Sequence, residues 1–260
     1  MKKIIFSDMD GTIVDYKGVR HPRDKEMIQK LRENGHYFAF CTGRNEKEAQ
    51  VLIDTYGFPY DFLVLNNGAH IVNQQGKDLF REQVPGNIGK EIIQHCLNYE
   101  NMNISFYNGK HTIGLVNGKT CLFHLHGFVE TDLYNFHEEY PKMNEFDIIA
   151  LAQNDKKINH ILNIQNHIKE MYGEIALGTL NTIYLDITAA NCSKGTGITT
   201  LCNLLNEDLQ TYCIGDSFND ISMFKVADHP YSFKHVDDEI KKHSKKQVNF
   251  VYELLEDALL

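Results

Sequence analysis

The sequence contains no apolar run approaching the roughly 18 residues that a membrane-spanning helix needs, so no spanning helix is expected. At the N-terminus, Met1-Lys2-Lys3 leads into only Ile4, Ile5 and Phe6 before Ser7 and Asp8, too short an apolar stretch for a signal peptide. Six cysteines, at 41, 96, 121, 192, 202 and 213, form no CxxC pair and no regular framework, and read as reduced thiols in a cytoplasmic protein. There is no low-complexity tract and no internal repeat. Positive charge is also in short supply. Against 26 Lys and Arg stand 35 Asp and Glu, a formal net charge of −9 that argues against nucleic acid or an anionic membrane as partner. It also sets a condition: a chain that handles an anion must build a local positive site against its own overall charge. With 42% hydrophobic and 23% charged residues, the 260 residues suffice for one large soluble domain or two modest ones.

The first third alternates strand and helix. Lys3 to Ser7 reads as a buried strand, Arg23 to Asn34 as a helix stopped by Gly35, and Tyr37 to Cys41 as a second strand. A helix over Glu46–Tyr56 and a strand over Asp61–Leu65 follow. Short joins between such elements imply a doubly wound, Rossmann-like parallel sheet covered on both faces. The middle differs. A hairpin signal lies around Asn73-Gln74-Gln75-Gly76, followed by a helix over 88–99 and strands over 104–107 and 112–116. After an ambiguous stretch rich in histidines and aromatics come a strand over 146–152, a helix over 156–172 and a strand over 183–188. This is the pattern of an α+β module. From Ser193 the doubly wound alternation returns, so the expected layout is a core of 1–82 and 187–260 interrupted by an insert of 83–186.

Chemistry-bearing residues fall at the ends of the core strands. Asp8-Met9-Asp10-Gly11-Thr12 follows the first strand, and in an open parallel sheet the carboxyl ends of strands form the ligand crevice. By itself the motif is open to other readings: a surface turn, a cap for the next segment, or a calcium loop, although the spacing and closing Glu of an EF-hand are missing. Gly215-Asp216-Ser217-Phe218-Asn219-Asp220 also follows an apolar strand and opens a helix. Several carboxylates at one crevice repel unless a cation joins them, and hard oxygen ligands suit Mg²⁺. Helix capping by Ser217 or Asn219 accounts for part of this motif. Thr42-Gly43-Arg44 places a hydroxyl and backbone N–H groups where phosphate oxygens could sit, and Lys194 opens a helix whose N-terminus favours an anion. His124-x-His126 lacks a third ligand and reads as surface or packing, and the insert's aromatics Phe106, Tyr107, Phe123, Phe128, Tyr134 and Phe136 read mainly as core.

In this order, Asp8-x-Asp10-Gly-Thr12, Thr42-Gly43-Arg44, Lys194 and Gly215-Asp216-x-x-Asn219-Asp220 resemble the four motifs of the haloacid dehalogenase superfamily. Residues 13–41 leave no room for an insert after the first motif, and the later insert resembles the type IIB cap of the Cof-like phosphatase branch, as does Asn67-Gly68-Ala69. The sequence departs from that branch at His229-Pro230-Tyr231-Ser232-Phe233-Lys234-His235, where a small, glycine-containing stretch is usual. The resemblance implies that Asp8 is the nucleophile and Asp10 the general acid and base. It implies Mg²⁺ held by Asp8, the backbone carbonyl of Asp10, and Asp216. Thr42, Gly43, Lys194 and Asn219 would bind the phosphoryl group, with Asp220 behind them orienting Lys194 or a metal water. The expected activity is hydrolysis of a small phosphorylated metabolite, such as a sugar phosphate, through an aspartyl-phosphate, with a mobile cap choosing the substrate. A sugar phosphomutase of the same superfamily and a catalytically silent phosphometabolite sensor are the rivals.

Overall fold

A computed structural model describes residues 1–14, 21–124, 127–155 and 157–260. The chain divides into two compact units, Met1–Arg81 with Ser193–Leu260, and Glu82–Cys192.

The first unit opens with β1 (Lys2–Ser7), α1 (Pro22–Glu33), β2 (Tyr37–Cys41), α2 (Glu46–Tyr56), β3 (Phe62–Leu65) and the hairpin β4 (His70–Asn73) and β5 (Asp78–Arg81). The second unit carries β6 (Val84–Pro85), α3 (Gly86–Cys96), β7 (Met102–Tyr107), β8 (Thr112–Val116), β9 (Lys119–His124) and β10 (Gly127–Glu130). It continues with α4 (Phe136–Glu139), β11 (Glu145–Phe146), β12 (Ile149–Gln153), α5 (Asn159–Tyr172), β13 (Ala176–Asn181) and β14 (Tyr184–Ala189). The chain then re-enters the first unit with α6 (Lys194–Leu205), β15 (Leu209–Gly215), α7 (Ile221–Phe224), β16 (His229–Phe233), α8 (Asp238–Lys241), β17 (Lys246–Val248) and α9 (Val251–Leu259).

The first unit is built on one sheet in the order β17-β16-β15-β1-β2-β3-β4-β5. Six neighbouring strands, β17 to β3, run parallel, and the β4–β5 hairpin adds an antiparallel edge. Ile4, Ile5 and Phe6 of β1 are all fully buried, as are Phe38, Ala39, Phe40 and Cys41 of β2. Continuous burial on both faces is what a parallel sheet between helices demands, and it explains why these strands read as unbroken apolar runs. Helix boundaries follow local chemistry. The His21 side chain accepts from the Arg23 amide and Pro22 starts α1, while α2 is capped by Asn45 and ends at the left-handed Gly57.

The second unit is a seven-stranded sheet, β10-β9-β8-β7-β12-β14-β13, antiparallel throughout, with a separate β6–β11 ladder. Its core centres on Phe106, whose ring meets Phe136 and Phe146 edge-on at centroid distances of 5.5 and 5.7 Å. Phe106 and Phe136 are buried as their patterning implies, but Phe128 lies exposed on the edge strand β10.

Several expectations need revision here. The strand expected over 146–152 is two strands, because at Asp147 the chain leaves the β6 ladder; the buried Asp147 carboxylate accepts from Gln83 Nε2 at 2.9 Å. The ambiguous histidine-rich stretch forms β9, β10 and α4, although His126, like Lys156, lies outside the described residues. The half-polar β13 and the short β17 and α8 lie outside the expected elements. The junction placed at 186/187 falls inside β14, which is paired on both sides to β12 and β13; the second unit runs to Cys192. Among the described residues no helix is long and apolar enough to cross a membrane.

Phe146 is fully buried between Phe106 and Gly89. Phe146→Ala should lower unfolding free energy by about 3–5 kcal/mol, read from the urea midpoint by circular dichroism; a midpoint within error of wild type would contradict this packing.

Candidate active site

The parallel register gathers the polar motifs at one sheet edge. Ser7 pairs with Ile214 and with Phe40, so Asp8 is the first residue past the end of β1, and its amide still donates to the Ile214 carbonyl at 3.0 Å. Thr42 stands at the same level beyond β2, its amide donating to the Val64 carbonyl at 2.8 Å, and Asp216 follows the last residue of β15. Beyond Asp8 the chain turns: Gly11 adopts φ 80°, its amide donates to the Val14 carbonyl at 2.8 Å, and both Ile13 and Val14 donate back to Met9. Asp10 is thereby folded back over the strand end instead of continuing the ladder.

Lys194 opens α6 immediately after its cap Ser193, whose side chain accepts from the Thr196 amide. The Lys194 ammonium donates to Asp8 Oδ1 and to Asp220 Oδ1, each at 2.6 Å. All three side chains are buried, with residue exposures of 1% for Lys194, 5% for Asp8 and 0% for Asp220. Burial alone would pull the Lys194 ammonium down, but the Asp220 and Asp8 carboxylates hold it above its ordinary value. Burial pushes the Asp8 carboxyl well up, Lys194 opposes that, and the neighbouring Asp220, Asp216 and Asp10 charges reinforce it. The other oxygen of Asp220, Oδ2, accepts from the amides of Asp216 and Ser217, each at 2.9 Å. This reciprocal cap leaves no room beneath Gly215, where a Cβ would lie 2.3 Å from Asp220 Cγ.

Asp8, Asp216 and Asp220 each offer a carboxylate oxygen within 4.8 Å of the others. Both Asp220 oxygens are already engaged by Lys194 and two amides, whereas Asp216 Oδ1 accepts from Thr12 Oγ1 at 3.1 Å. Three carboxylates around one ammonium leave an excess of negative charge in a buried place, and an all-oxygen donor set of this kind fits a hard divalent cation. Asp8 and Asp216 are the carboxylates positioned to serve it.

Asp10 is placed differently from the other carboxylates. Its two oxygens are gripped by Arg44, Nε to Oδ2 at 2.6 Å and Nη2 to Oδ1 at 2.8 Å. Thr42 Oγ1 accepts from the Arg44 amide at 3.2 Å, and Gly43 lies between them at the same edge. Asn219 Nδ2 donates to Asn67 Oδ1 at 3.2 Å, joining the β15 and β3 ends. Arg44, Thr12 and Asn67 were therefore missed as site residues although each lies inside a stretch read as a motif. Only their partners reveal them, and those partners come from distant segments. The first five residues of the departing stretch, His229–Phe233, form β16, where Ser232 is buried against Ser244 at 2.7 Å between the two hydroxyl oxygens.

A family model described as haloacid dehalogenase-like hydrolase matches residues 5–253. The chain belongs to that family. It is a hydrolase of the Cof-like branch. It is 24% identical over 93% of its length to a 5-amino-6-(5-phospho-D-ribitylamino)uracil phosphatase of Bacillus subtilis, 91% of which is covered. Among solved structures, a haloacid dehalogenase-like hydrolase from B. subtilis superposes with a TM-score of 0.80 at 18% identity, covering 98% of this chain and 99% of that one. A subclass IIB sugar phosphatase, BT4131, superposes with a TM-score of 0.75 at 17% identity, with 99% of both chains covered. These two likenesses establish the fold.

Lys194→Met leaves the buried Asp8 and Asp220 carboxylates without their cation. It should cost about 3–5 kcal/mol of stability in urea unfolding at neutral pH without divalent ions; no loss would mean that the three groups do not share charge as their geometry indicates.

Proposed function

We propose that this hydrolase is a Mg²⁺-dependent phosphatase that cleaves a small phosphorylated metabolite through an aspartyl-phosphate on Asp8. That it is a phosphoric monoester hydrolase follows from its family and from relatives named as phosphatases, 84–91% of whose length is covered. The observation that carries the finer reading is the placement of Asp8: a buried carboxylate at the tip of the central strand, held on one oxygen by Lys194.

Asp8 attacks phosphorus as the ester P–O bond breaks, and the Asp10 carboxyl gives its proton to the departing oxygen. In the second half, Asp10 takes a proton from water, the water oxygen attacks phosphorus, and the Asp8–phosphorus bond breaks. Phosphate leaves and both side chains return to their starting states. Lys194 and Thr42 hold the phosphoryl oxygens, Gly43 and Asn219 add contacts, and Asp220 fixes Lys194 against Asp8. Mg²⁺, held by Asp8, Asp216 and the backbone carbonyl of Asp10, would supply positive charge against the phosphoryl oxygens. A sugar or polyol phosphate is the favoured substrate class, in line with the phosphoribityl substrate in one relative's name and the sugar phosphatase among the solved structures. Six free cysteines and the absence of a spanning helix among the described residues support placing the enzyme in the cytoplasm.

The purified protein should release inorganic phosphate from a panel of sugar phosphates only when Mg²⁺ is present, and EDTA should stop it reversibly. Asp8→Asn should lower kcat by about a thousandfold or more. A variant as fast as wild type would remove Asp8 from the mechanism. Conversion of a hexose 1-phosphate to its isomer without phosphate release would make the enzyme a mutase.

A further inference from the structure

We propose that Arg44 is a positioning residue: its guanidinium fork sets the plane of the Asp10 carboxyl, so that Asp10 meets the leaving-group oxygen in line for proton transfer. This rests on the phosphatase reading and adds a residue to it. The proton-transfer role falls to Asp10, two residues beyond Asp8, whose carboxylate is held by Arg44 and not by Lys194. The Asp10 side chain is 42% exposed, on a turn that includes the positive-φ Gly11. A carboxyl so placed would turn freely about its side-chain bonds, and a general acid that is free to turn loses most of its advantage. The parallel hydrogen bonds from Nε and Nη2, at 2.6 and 2.8 Å, remove that freedom.

Arg44 is itself fixed. Its side chain is only 16% exposed. Its amide donates to Thr42 Oγ1 at 3.2 Å, and its carbonyl accepts from the Asn66 amide at 3.0 Å. Asn66 in turn adopts a left-handed φ of 49° at the end of β3. The chain thus ties Asp10 through Arg44 to the same short loop that carries Thr42. The groups that would hold the phosphoryl oxygens and the group that would serve the leaving oxygen move as one piece. A lysine could supply the charge of Arg44 but not the two parallel donors.

The test uses Arg44→Gln and Arg44→Lys beside Asp10→Asn and the Arg44→Gln/Asp10→Asn double variant. Single-turnover phosphoryl transfer is measured with an alkyl phosphate, which needs a protonated leaving group, and with 2,4-dinitrophenyl phosphate, which does not. Arg44→Gln should slow the alkyl ester about 10- to 100-fold and the aryl ester by no more than about threefold. KM and inhibition by inorganic phosphate should stay close to wild type, and Arg44→Lys should not restore the alkyl rate. The double variant should be no slower than Asp10→Asn, because Arg44 acts through Asp10. Equal loss on both esters, weaker phosphate inhibition, or additive losses in the double variant would overturn the proposal and make Arg44 a phosphate ligand or a structural residue. Should Arg44→Gln fail to fold, Arg44→Lys carries the same comparison. A wild-type enzyme that cleaves neither ester would instead overturn the phosphatase reading, and this inference with it.

Discussion

Lys194 is sealed from solvent with its ammonium 2.6 Å from both Asp8 and Asp220, and most of the site is arranged to make that burial tolerable. A lone buried ammonium is expensive; sharing it between two carboxylates, with the further oxygen of one of them satisfied by two backbone amides, offsets much of that cost. Fulfilling that condition requires three chain segments to meet: the end of β1, the start of α6 and the turn after β15. Missing side chains around them make room for the close approach. Gly68 adopts φ 94° and lies so close to α6 that a Cβ would sit 2.0 Å from the Ser193 carbonyl, and Gly215 leaves space for Asp220 itself.

The same ion cluster resolves the contradiction between a chain of net charge −9 and an anionic substrate. Asp8, Asp216 and Asp220 concentrate negative charge around one lysine, so the place is poised for additional cation.

Much of this was legible in one dimension. The strands of the parallel sheet are buried on both faces, so β1, β2 and β3 stand out as apolar runs, and each is followed at once by the residues that form the site. Legibility failed where burial was partial or where pairing came from far along the chain. β13 has no apolar run of its own and exists because β14 lies beside it. The β11 and β12 strands merged in the sequence reading because hydropathy does not record which partner a strand has. Arg44 was legible as part of a tripeptide but not as a partner of Asp10, since 34 positions separate the two residues.

The sequence by itself determined the fold class and the order of the motifs at the strand ends and at the start of α6, because each depends on local hydropathy and on residue chemistry. The tertiary structure alone decided which carboxylate Lys194 shares with Asp8, that Asp220 is spent on Lys194 and two amides, and that Asp10 is held by Arg44. Those outcomes follow from strand register and from close approach at glycines. A single residue of slip in register would carry each group away from its partner, and the distances of 2.6 to 2.9 Å on which the cluster depends exist only once the sheet is assembled.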